Sequence, residues 1–459
     1  MAVRFVILGG GPAGNQAATN AARLGAQVTL VERDVVGGAA HLWDCIPSKA
    51  MIATGAAMSF VEQAGGMGLT HLEADLDVDG LKRRITGIED RLRGSVESLL
   101  VDQGVRLLRA TGRLTGPHSV AVDTADGTEE IDADAILIAT GSRPRIPDWC
   151  QPDGDRILTT RQAYPPPVMP EHLVVIGSGV TGVEFVHMFA SFGSKVTLVV
   201  SRQQVLPQKD PEVAAALEDE FIRRGVRLLI GARAVGIDRE EDGARSSAGI
   251  AVRCDDGRVA RGSHVLLAIG SVPNSAGLGL EAAGIEVDSR GYVPVNQHCQ
   301  TNLGHVYAAG DVSGRLPLSS VAAMQGRKIA DHVMGLQARD HRHVDYDKAP
   351  QAVFTDPEIA EVGIAESEAF ASGRKIRVTK VPFSASAKAL INHETRGFVK
   401  IVSDPATGIV LGGSIVGRHA AELISVIALA VNCNLRVVDV VDSLLVHPSL
   451  AEVLSEAAE

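Results

Sequence analysis

Cysteine is scarce and scattered. Cys45, Cys150, Cys254, Cys299 and Cys433 are the five in a chain of 459 residues. None forms a CxxC pair or a cysteine/histidine spacing suited to zinc. That excludes a disulfide-stapled scaffold and leaves reduced thiols that suit a cytoplasmic location. His341 and His343 lie close together in a charged, loop-like stretch, and no metal site is expected there or elsewhere. Positive charge is also short: 44 Lys and Arg face 55 Asp and Glu, a net charge of −11. With no long run of Lys or Arg, neither nucleic acid nor an anionic membrane surface is an expected partner. No apolar stretch reaches the roughly 18 residues of a spanning helix. Met1-Ala2-Val3-Arg4 runs straight into an apolar strand pattern, so no signal peptide is expected before it.

Glycine, by contrast, is plentiful, and its clusters divide the chain. At roughly 150 residues per domain, about three domains are expected. Residues 3–32 read strand, Gly-rich turn, helix, strand, which is one βαβ unit. Residues 75–104 read as an amphipathic helix, with Leu81, Ile85, Ile88, Leu92, Val96 and Leu99 on its apolar face. Residues 118–139 read as a short hairpin followed by the strand Ala135–Ala139. Tyr164-Pro165-Pro166-Pro167 with Pro170 reads as a linker. Residues 172–200 then repeat the first unit. From about Pro350 the pattern turns β-rich, at 398–402 and 409–416, with helices at 420–431 and 449–458. The expected fold class is α/β: two Rossmann-like dinucleotide-binding domains plus a C-terminal α+β module. The boundaries are 1–150, 151–270, a central segment 271–345 rejoining the first domain, and 346–459.

Gly9, Gly11 and Gly14, with Pro12 and Ala13 between them, have the G-x-G-x-x-G spacing between a strand and a helix. Missing side chains allow a tight turn and let backbone N–H groups approach a pyrophosphate at the helix N-terminus. Glu32, at the end of the next strand, is placed to bond a ribose hydroxyl. The second copy is Gly177-Ser178-Gly179-Val180-Thr181-Gly182. Its second strand ends in Val200-Ser201-Arg202, without the acid. Ser201 and Arg202 would welcome a 2′-phosphate that an acid would repel, so NADPH is expected there; if Arg202 is merely solvated, NADH remains usable. Two dinucleotide sites in one chain point to FAD and a nicotinamide exchanging electrons.

The segment Gly37-Gly38-Ala39-Ala40-His41-Leu42-Trp43-Asp44-Cys45-Ile46-Pro47-Ser48-Lys49 resembles the redox motif of the flavoprotein disulfide reductases, the group of lipoamide dehydrogenase and glutathione reductase. Ala139-Thr140-Gly141, Ala268-Ile269-Gly270, Pro273-Asn274, Ala308-Ala309-Gly310-Asp311 and His447-Pro448-Ser449 with Glu452 resemble further motifs, in the family's order and over nearly the whole chain. The resemblance implies that Gly9 to Gly14, Glu32, Arg33, Lys49, Thr140, Gly141 and Asp311 bind FAD. It also implies that Pro317, Leu318, Ser319 and Ser320 pass along the flavin and that Ala110 touches adenine. Gly177 to Gly182, Glu184 and Gly270 would line the nicotinamide site. Lys49 and Glu184 would pair beside flavin N5, where a lysine stabilises the charge of the reduced ring. His447 and Glu452 match the family's catalytic base and its orienting acid, which serve the partner subunit's flavin and so imply a homodimer through the C-terminal module.

One departure decides the expected chemistry. Cys45 matches the family's second redox cysteine, but Ala40 stands where the first should be. Disulfide turnover needs a resolving thiol, so lipoamide dehydrogenase activity should be absent or very weak. Cys45 is either a stabilised thiolate or a small packing residue. His447 and Glu452 either protonate an acceptor or form a structural pair. A branch of the family lacking the complete cysteine pair, the NAD(P)H-quinone reductases, resembles this chain at Gly37 to Ala40, Cys45 and Ser271-Val272-Pro273-Asn274. The expected activity is therefore NAD(P)H:quinone oxidoreduction. Trp43 either walls the acceptor site or simply packs. The alternatives are a single-cysteine disulfide reductase, a pyridine-nucleotide transhydrogenase and a low-turnover redox sensor.

Overall fold

The structure is a computed structural model that describes residues 2–70, 72–240, 249–336 and 343–459; His341 lies outside these. The chain forms two compact units. The first comprises Met1–Pro47, Asp79–Arg145 and Ser271–Tyr346; the second comprises Ser48–Val78, Ile146–Gly270 and Asp347–Glu459.

The first unit is built on a five-stranded sheet in the order Val306–Ala308, Ala135–Ile138, Arg4–Leu8, Gln27–Glu32, Arg106–Arg109. Every pairing is parallel. Parallel strands are covered on both faces and read as unbroken apolar runs. Phe5-Val6-Ile7-Leu8 and Ala135-Ile136-Leu137-Ile138 are accordingly buried at every position. Phe5 and Ile7 pack on one face with Ala13, Ala17 and Ala21. Val6 and Leu8 pack on the other with Leu114, Val120 and Val122. Helix Ser319–Val333 lies against helix Pro12–Arg23 at Gly326, where a Cβ would stand 2.0 Å from the Ala13 carbonyl oxygen.

The second unit repeats this design. Its parallel sheet runs Arg227–Ile230, Lys195–Val200, His172–Ile176, His264–Leu267, Ile157–Thr159. Each parallel sheet is accompanied by a three-stranded antiparallel sheet: Thr111–Gly116, Ser119–Thr124, Gly127–Asp132 in the first unit, and Ala234–Glu240, Gly249–Cys254, Val259–Gly262 in the second. The second unit also holds an antiparallel sheet of Gln351–Val353, Ile359–Gly363, Val410–Val416, Phe398–Ser403 and Arg377–Pro382, packed against helix Ala420–Cys433.

Several local readings shift. The apolar face expected to end at Leu99 ends at Leu100, which is fully buried, while Leu99 is exposed. The helix spans Val78–Asp102, and the fourth residue after Val96 is the one that returns to the core side. The expected hairpin is present, as Ser119–Thr124 paired with Gly127–Asp132, and a further strand, Thr111–Gly116, extends it into a meander; its glycines and threonines interrupt the apolar alternation that marks a strand. The Pro-rich stretch is not a bare tether: Tyr164 stacks on Phe185 with ring centroids 4.8 Å apart. The last helix begins at Glu452 rather than Ser449.

Two glycines in helices should respond oppositely to alanine. Gly326→Ala forces backbone apart at the Ala13 approach and should cost about 1–3 kcal/mol or more. Gly87→Ala, where a Cβ meets open space, should stabilise by up to about 1 kcal/mol. Thermal unfolding midpoints of the two variants would test this, and a Gly326→Ala protein as stable as its parent would contradict the packing described.

Candidate functional site

The first glycine turn leaves strand Arg4–Leu8 and enters helix Pro12–Arg23 with Gly11 as N-cap and proline in the first turn. The turn is closed by backbone contacts that tolerate no Cβ. A Cβ on Gly14 would sit 1.9 Å from the Gly9 carbonyl oxygen, and one on Gly9 would sit 2.3 Å from that of Ala139. No side chain caps this helix and no acid occupies its first turn, so its amides and positive dipole end remain available to an anion. Glu32 accepts the Gly10 N–H at 2.6 Å and the Asp34 N–H at 2.7 Å. A carboxylate has further lone pairs, so Glu32 can still accept from a ribose hydroxyl. Ala110 donates its N–H to the Glu32 carbonyl at 3.0 Å. Arg33 turns toward Asp34.

Other predicted residues gather in the same unit. The Thr140 hydroxyl donates to the Asn274 carbonyl, and the Asn274 amide donates back to that of Thr140. The Asn274 N–H donates to the Gly141 carbonyl. Ser142 donates to Asp311 at 2.6 Å. Gly310, just before Asp311, has φ 71° and ψ −157°, a conformation for which glycine is needed. Its N–H is held at 2.8 Å by Gln325, which is fully buried and donates in turn to the Tyr346 hydroxyl. Leu318 forms the N-cap of helix Ser319–Val333. Gln325 was missed in the sequence because one glutamine on a helix carries no sign of what it bonds. These residues fit a dinucleotide: an open helix N-terminus, a carboxylate at the strand end and glycines at the close approaches.

The second unit reproduces the turn. Cβ atoms on Gly182 and Gly177 would meet the Gly177 and Ala268 carbonyl oxygens at 1.9 and 2.3 Å. Gly179 caps helix Val180–Ser191, again with neither a side-chain cap nor an acid in the first turn. Thr181 follows Val180 in that turn, and Val180 is exposed. Gly270 adopts φ 92°. Ser201 and Arg202 are exposed beyond strand Lys195–Val200.

Glu184 lies on helix Val180–Ser191 with its side chain only 6% exposed. Lys49 donates to both of its oxygens, at 2.9 and 3.1 Å. The Phe354 N–H donates to Oε1 at 3.1 Å, and the Lys49 ammonium stands 4.5 Å from the Phe354 ring centroid. An ionised carboxylate in so dry a place needs these partners. Phe354 was not foreseen, since no residue pattern marks a backbone N–H.

Ala40–Cys45 forms a wide helical turn running directly into helix Ile46–Gln63, which carries Lys49. Cys45 is half-buried, and among the described residues the cysteines form no disulfide. Burial pushes the Cys150 and Cys299 thiols up to about 11 and raises that of Cys254. Such thiols are poor nucleophiles at neutral pH. Trp43 is partly exposed. His447 Nδ1 lies 2.6 Å from Glu452 Oε1, and the Ser449 N–H donates to Oε2 at 2.9 Å. The Ser449 bond and then the histidine hold the Glu452 carboxyl below its usual range. The imidazole is exposed in a segment where Leu444 and Val446 are exposed as well. Among the described residues no cluster suited to a metal occurs, and no helix is long and apolar enough to cross a membrane.

Residues 3–326 match the pyridine nucleotide-disulphide oxidoreductase family, and residues 349–458 match the dimerisation domain of the same description. The NAD(P)H dehydrogenase (quinone) of Mycobacterium tuberculosis is 41% identical over 475 aligned residues, covering 100% of this chain and 94% of that protein. The dihydrolipoyl dehydrogenase of Zymomonas mobilis is 35% identical over 457 residues, covering 99% and 96%. Among solved structures, LpdA of Mycobacterium tuberculosis superposes with a TM-score of 0.92 at 40% identity over 99% of each chain. The copper(II) complex of the HOCl-induced flavoprotein disulfide reductase RclA of Escherichia coli superposes at 0.88 and 26% identity, covering 100% and 99%.

Removing Lys49 alone strands a buried carboxylate, at a cost on the order of 3 kcal/mol, less for the partial exposure of the lysine. Lys49→Met should therefore lower the unfolding temperature more than Lys49→Met combined with Glu184→Gln. Equal losses in the single and double variants would show that the pair does not carry this charge.

Proposed function

The chain belongs to the pyridine nucleotide-disulphide oxidoreductase family, and on that premise we propose that this NAD(P)H-dependent flavoprotein oxidoreductase passes its electrons to a quinone without a redox-active disulfide. The observation that carries the reading is Ala40. The motif around it, from Gly37 to Lys49, retains Cys45 but lacks a nearby second thiol. Cys150, Cys254 and Cys299 are buried with raised thiols, which makes them poor substitutes. A quinone needs only access to reduced flavin, whereas a disulfide needs a resolving thiol. The name of the Mycobacterium tuberculosis relative agrees with a quinone acceptor.

The enzyme takes FAD and a pyridine nucleotide. We assign residues 1–150 and 271–345 to the FAD domain, 151–270 to the NAD(P)H domain and 346–459 to a C-terminal module that pairs two copies as a homodimer. FAD would supply the redox chemistry when bound, with hydride taken from the nicotinamide and two electrons given to the acceptor. Gly9 to Gly14 hold its pyrophosphate through backbone N–H groups, and Glu32 orients the ribose. Thr140, Gly141, Asp311 and the start of helix Ser319–Val333 complete the cradle. By its resemblance to the family's motif, Lys49 would stabilise the negative charge that reduction brings, and Glu184 with Phe354 fixes where the ammonium stands. Glu452 fixes His447 through Nδ1, which leaves Nε2 as the atom that takes a proton from solvent and delivers it to the reduced acceptor. Arg202 and Ser201, with no acid beside them, favour the 2′-phosphate of NADPH. The scattered thiols fit a reducing compartment, and we place the enzyme in the cytoplasm.

Anaerobic stopped-flow mixing tests the acceptor. After reduction by NADPH, menadione should reoxidise the flavin rapidly, and a small disulfide should not. Cys45→Ser should leave the menadione rate within about twofold. Fast reoxidation by the disulfide, abolished in Cys45→Ser, would instead establish a single-cysteine disulfide reductase.

Arg202→Glu should raise KM for NADPH about tenfold, equivalent to 1.4 kcal/mol, and leave that for NADH little changed. An unchanged ratio of the two constants would refute the 2′-phosphate assignment.

A further inference from the structure

We propose that the dimerisation domain positions the loop that selects the nicotinamide nucleotide, with Lys209 and Lys400 as the positioning residues. The inference rests on the reading of Ser201 and Arg202 as the nucleotide contact.

The loop joins strand Lys195–Val200 to helix Pro211–Arg223. Its near end is tied by the Gly231 N–H, which donates to the Arg202 carbonyl at 3.0 Å. Its middle touches the second glycine turn, where the Leu206 N–H donates to the Ser178 carbonyl at 2.8 Å. Leu206 is buried and held at φ 46°, a left-handed conformation that is costly for a bulky residue and persists only where the surroundings over-determine it. A displacement of this loop therefore reaches both the predicted phosphate contact and the pyrophosphate turn.

The far end is fixed from outside the nucleotide domain. Lys209 lies 2.9 Å from Glu361 and donates to Gln351 at 3.1 Å, and its side chain is only 12% exposed. Glu361 and Gln351 stand on adjacent antiparallel strands of the C-terminal sheet. One residue later, Asp210 caps helix Pro211–Arg223 by accepting the Glu212 N–H. Lys400, on strand Phe398–Ser403 and 2% exposed, places its ammonium 2.6 Å from Glu212, 2.6 Å from Glu366 and 3.7 Å from Asp210. Burial works against the charge on Lys400, but the carboxylates around it outweigh that effect and raise its pKa.

Two lysines from opposite sides of one boundary thus cross it in opposite directions. Lys209 reaches from the nucleotide loop into the C-terminal sheet, and Lys400 reaches from that sheet to the helix that ends the loop. Such ion pairs add little net stability compared with apolar packing, but moving one partner away leaves a charge stranded in a dry place. They therefore penalise displacement steeply, as a positioning device requires.

The experiment is steady-state kinetics with menadione for Lys209→Met, Glu361→Gln and Lys209→Arg, each checked for flavin content and unfolding temperature. Lys209→Met should raise KM for NADPH about fivefold or more, with kcat within about twofold and flavin retained. Glu361→Gln, which keeps shape and hydrogen bonding, should shift KM in the same direction by less. Lys209→Arg should return KM to near the parent value. Unchanged KM values for both nucleotides in folded Lys209→Met and Glu361→Gln would overturn the proposal. So would a loss of kcat and flavin together in both, which marks general destabilisation. Arg202→Glu separates the two readings. If it changes nothing while Lys209→Met raises KM for NADPH and NADH alike, the positioning role stands and the 2′-phosphate contact does not.

Discussion

A single buried carboxylate ties together stretches of chain far apart in sequence. Glu184 accepts Lys49 from helix Ile46–Gln63 and the backbone of Phe354 from the C-terminal module. A carboxylate removed from water needs charge-assisted partners or it takes up a proton. The arrangement therefore has little freedom: the lysine must come to the glutamate, and residue 354 must present its N–H. The function proposed for Lys49, offering fixed positive charge to a ring that becomes negative, depends on that lack of freedom. An ammonium on a free four-carbon stem would spend its time in solvent.

Glycine spacing and strand patterning made the architecture legible. The two G-x-G-x-x-G turns appeared in the sequence as turns between strand and helix, and the structure shows matching carbonyl approaches at Gly9 and Gly14, and at Gly177 and Gly182. The unbroken apolar runs at 5–8 and 135–138 announced strands, and the structure buries both at every position. The interlocking contacts were not legible. Gln325 holding the Gly310 N–H, Phe354 supporting Glu184 and Lys209 crossing to Glu361 are pairings between distant residues, and no local periodicity encodes them. The last position on the buried face of helix Val78–Asp102 slipped by one residue because a helix fixes its buried face by packing, while the sequence offered adjacent leucines at 99 and 100.

The cysteines illustrate how absence and burial work together. Ala40 removes the near partner of Cys45, and apolar surroundings suppress the thiolate form of Cys150 and Cys299. The proposed route without sulfur draws on both, the missing neighbour of Cys45 and the suppressed acidity of the buried thiols. His447 and Glu452 keep their mutual bond, and the proton delivery proposed for them suits any acceptor that must be protonated as it is reduced.

The duplicated turn separates holding a dinucleotide from choosing one. Both turns reproduce the same backbone approaches, so the grip proposed for the diphosphate is common to the two units. What distinguishes them lies at the tip of one strand in each: a carboxylate at Glu32, a serine and a guanidinium at Ser201 and Arg202. On the proposed reading, a scaffold organised in this way can be copied whole, with its tolerance for a phosphate on the ribose decided afterwards by the sign of one charge. Inheritance of the fold and divergence of its ligand then become nearly independent events.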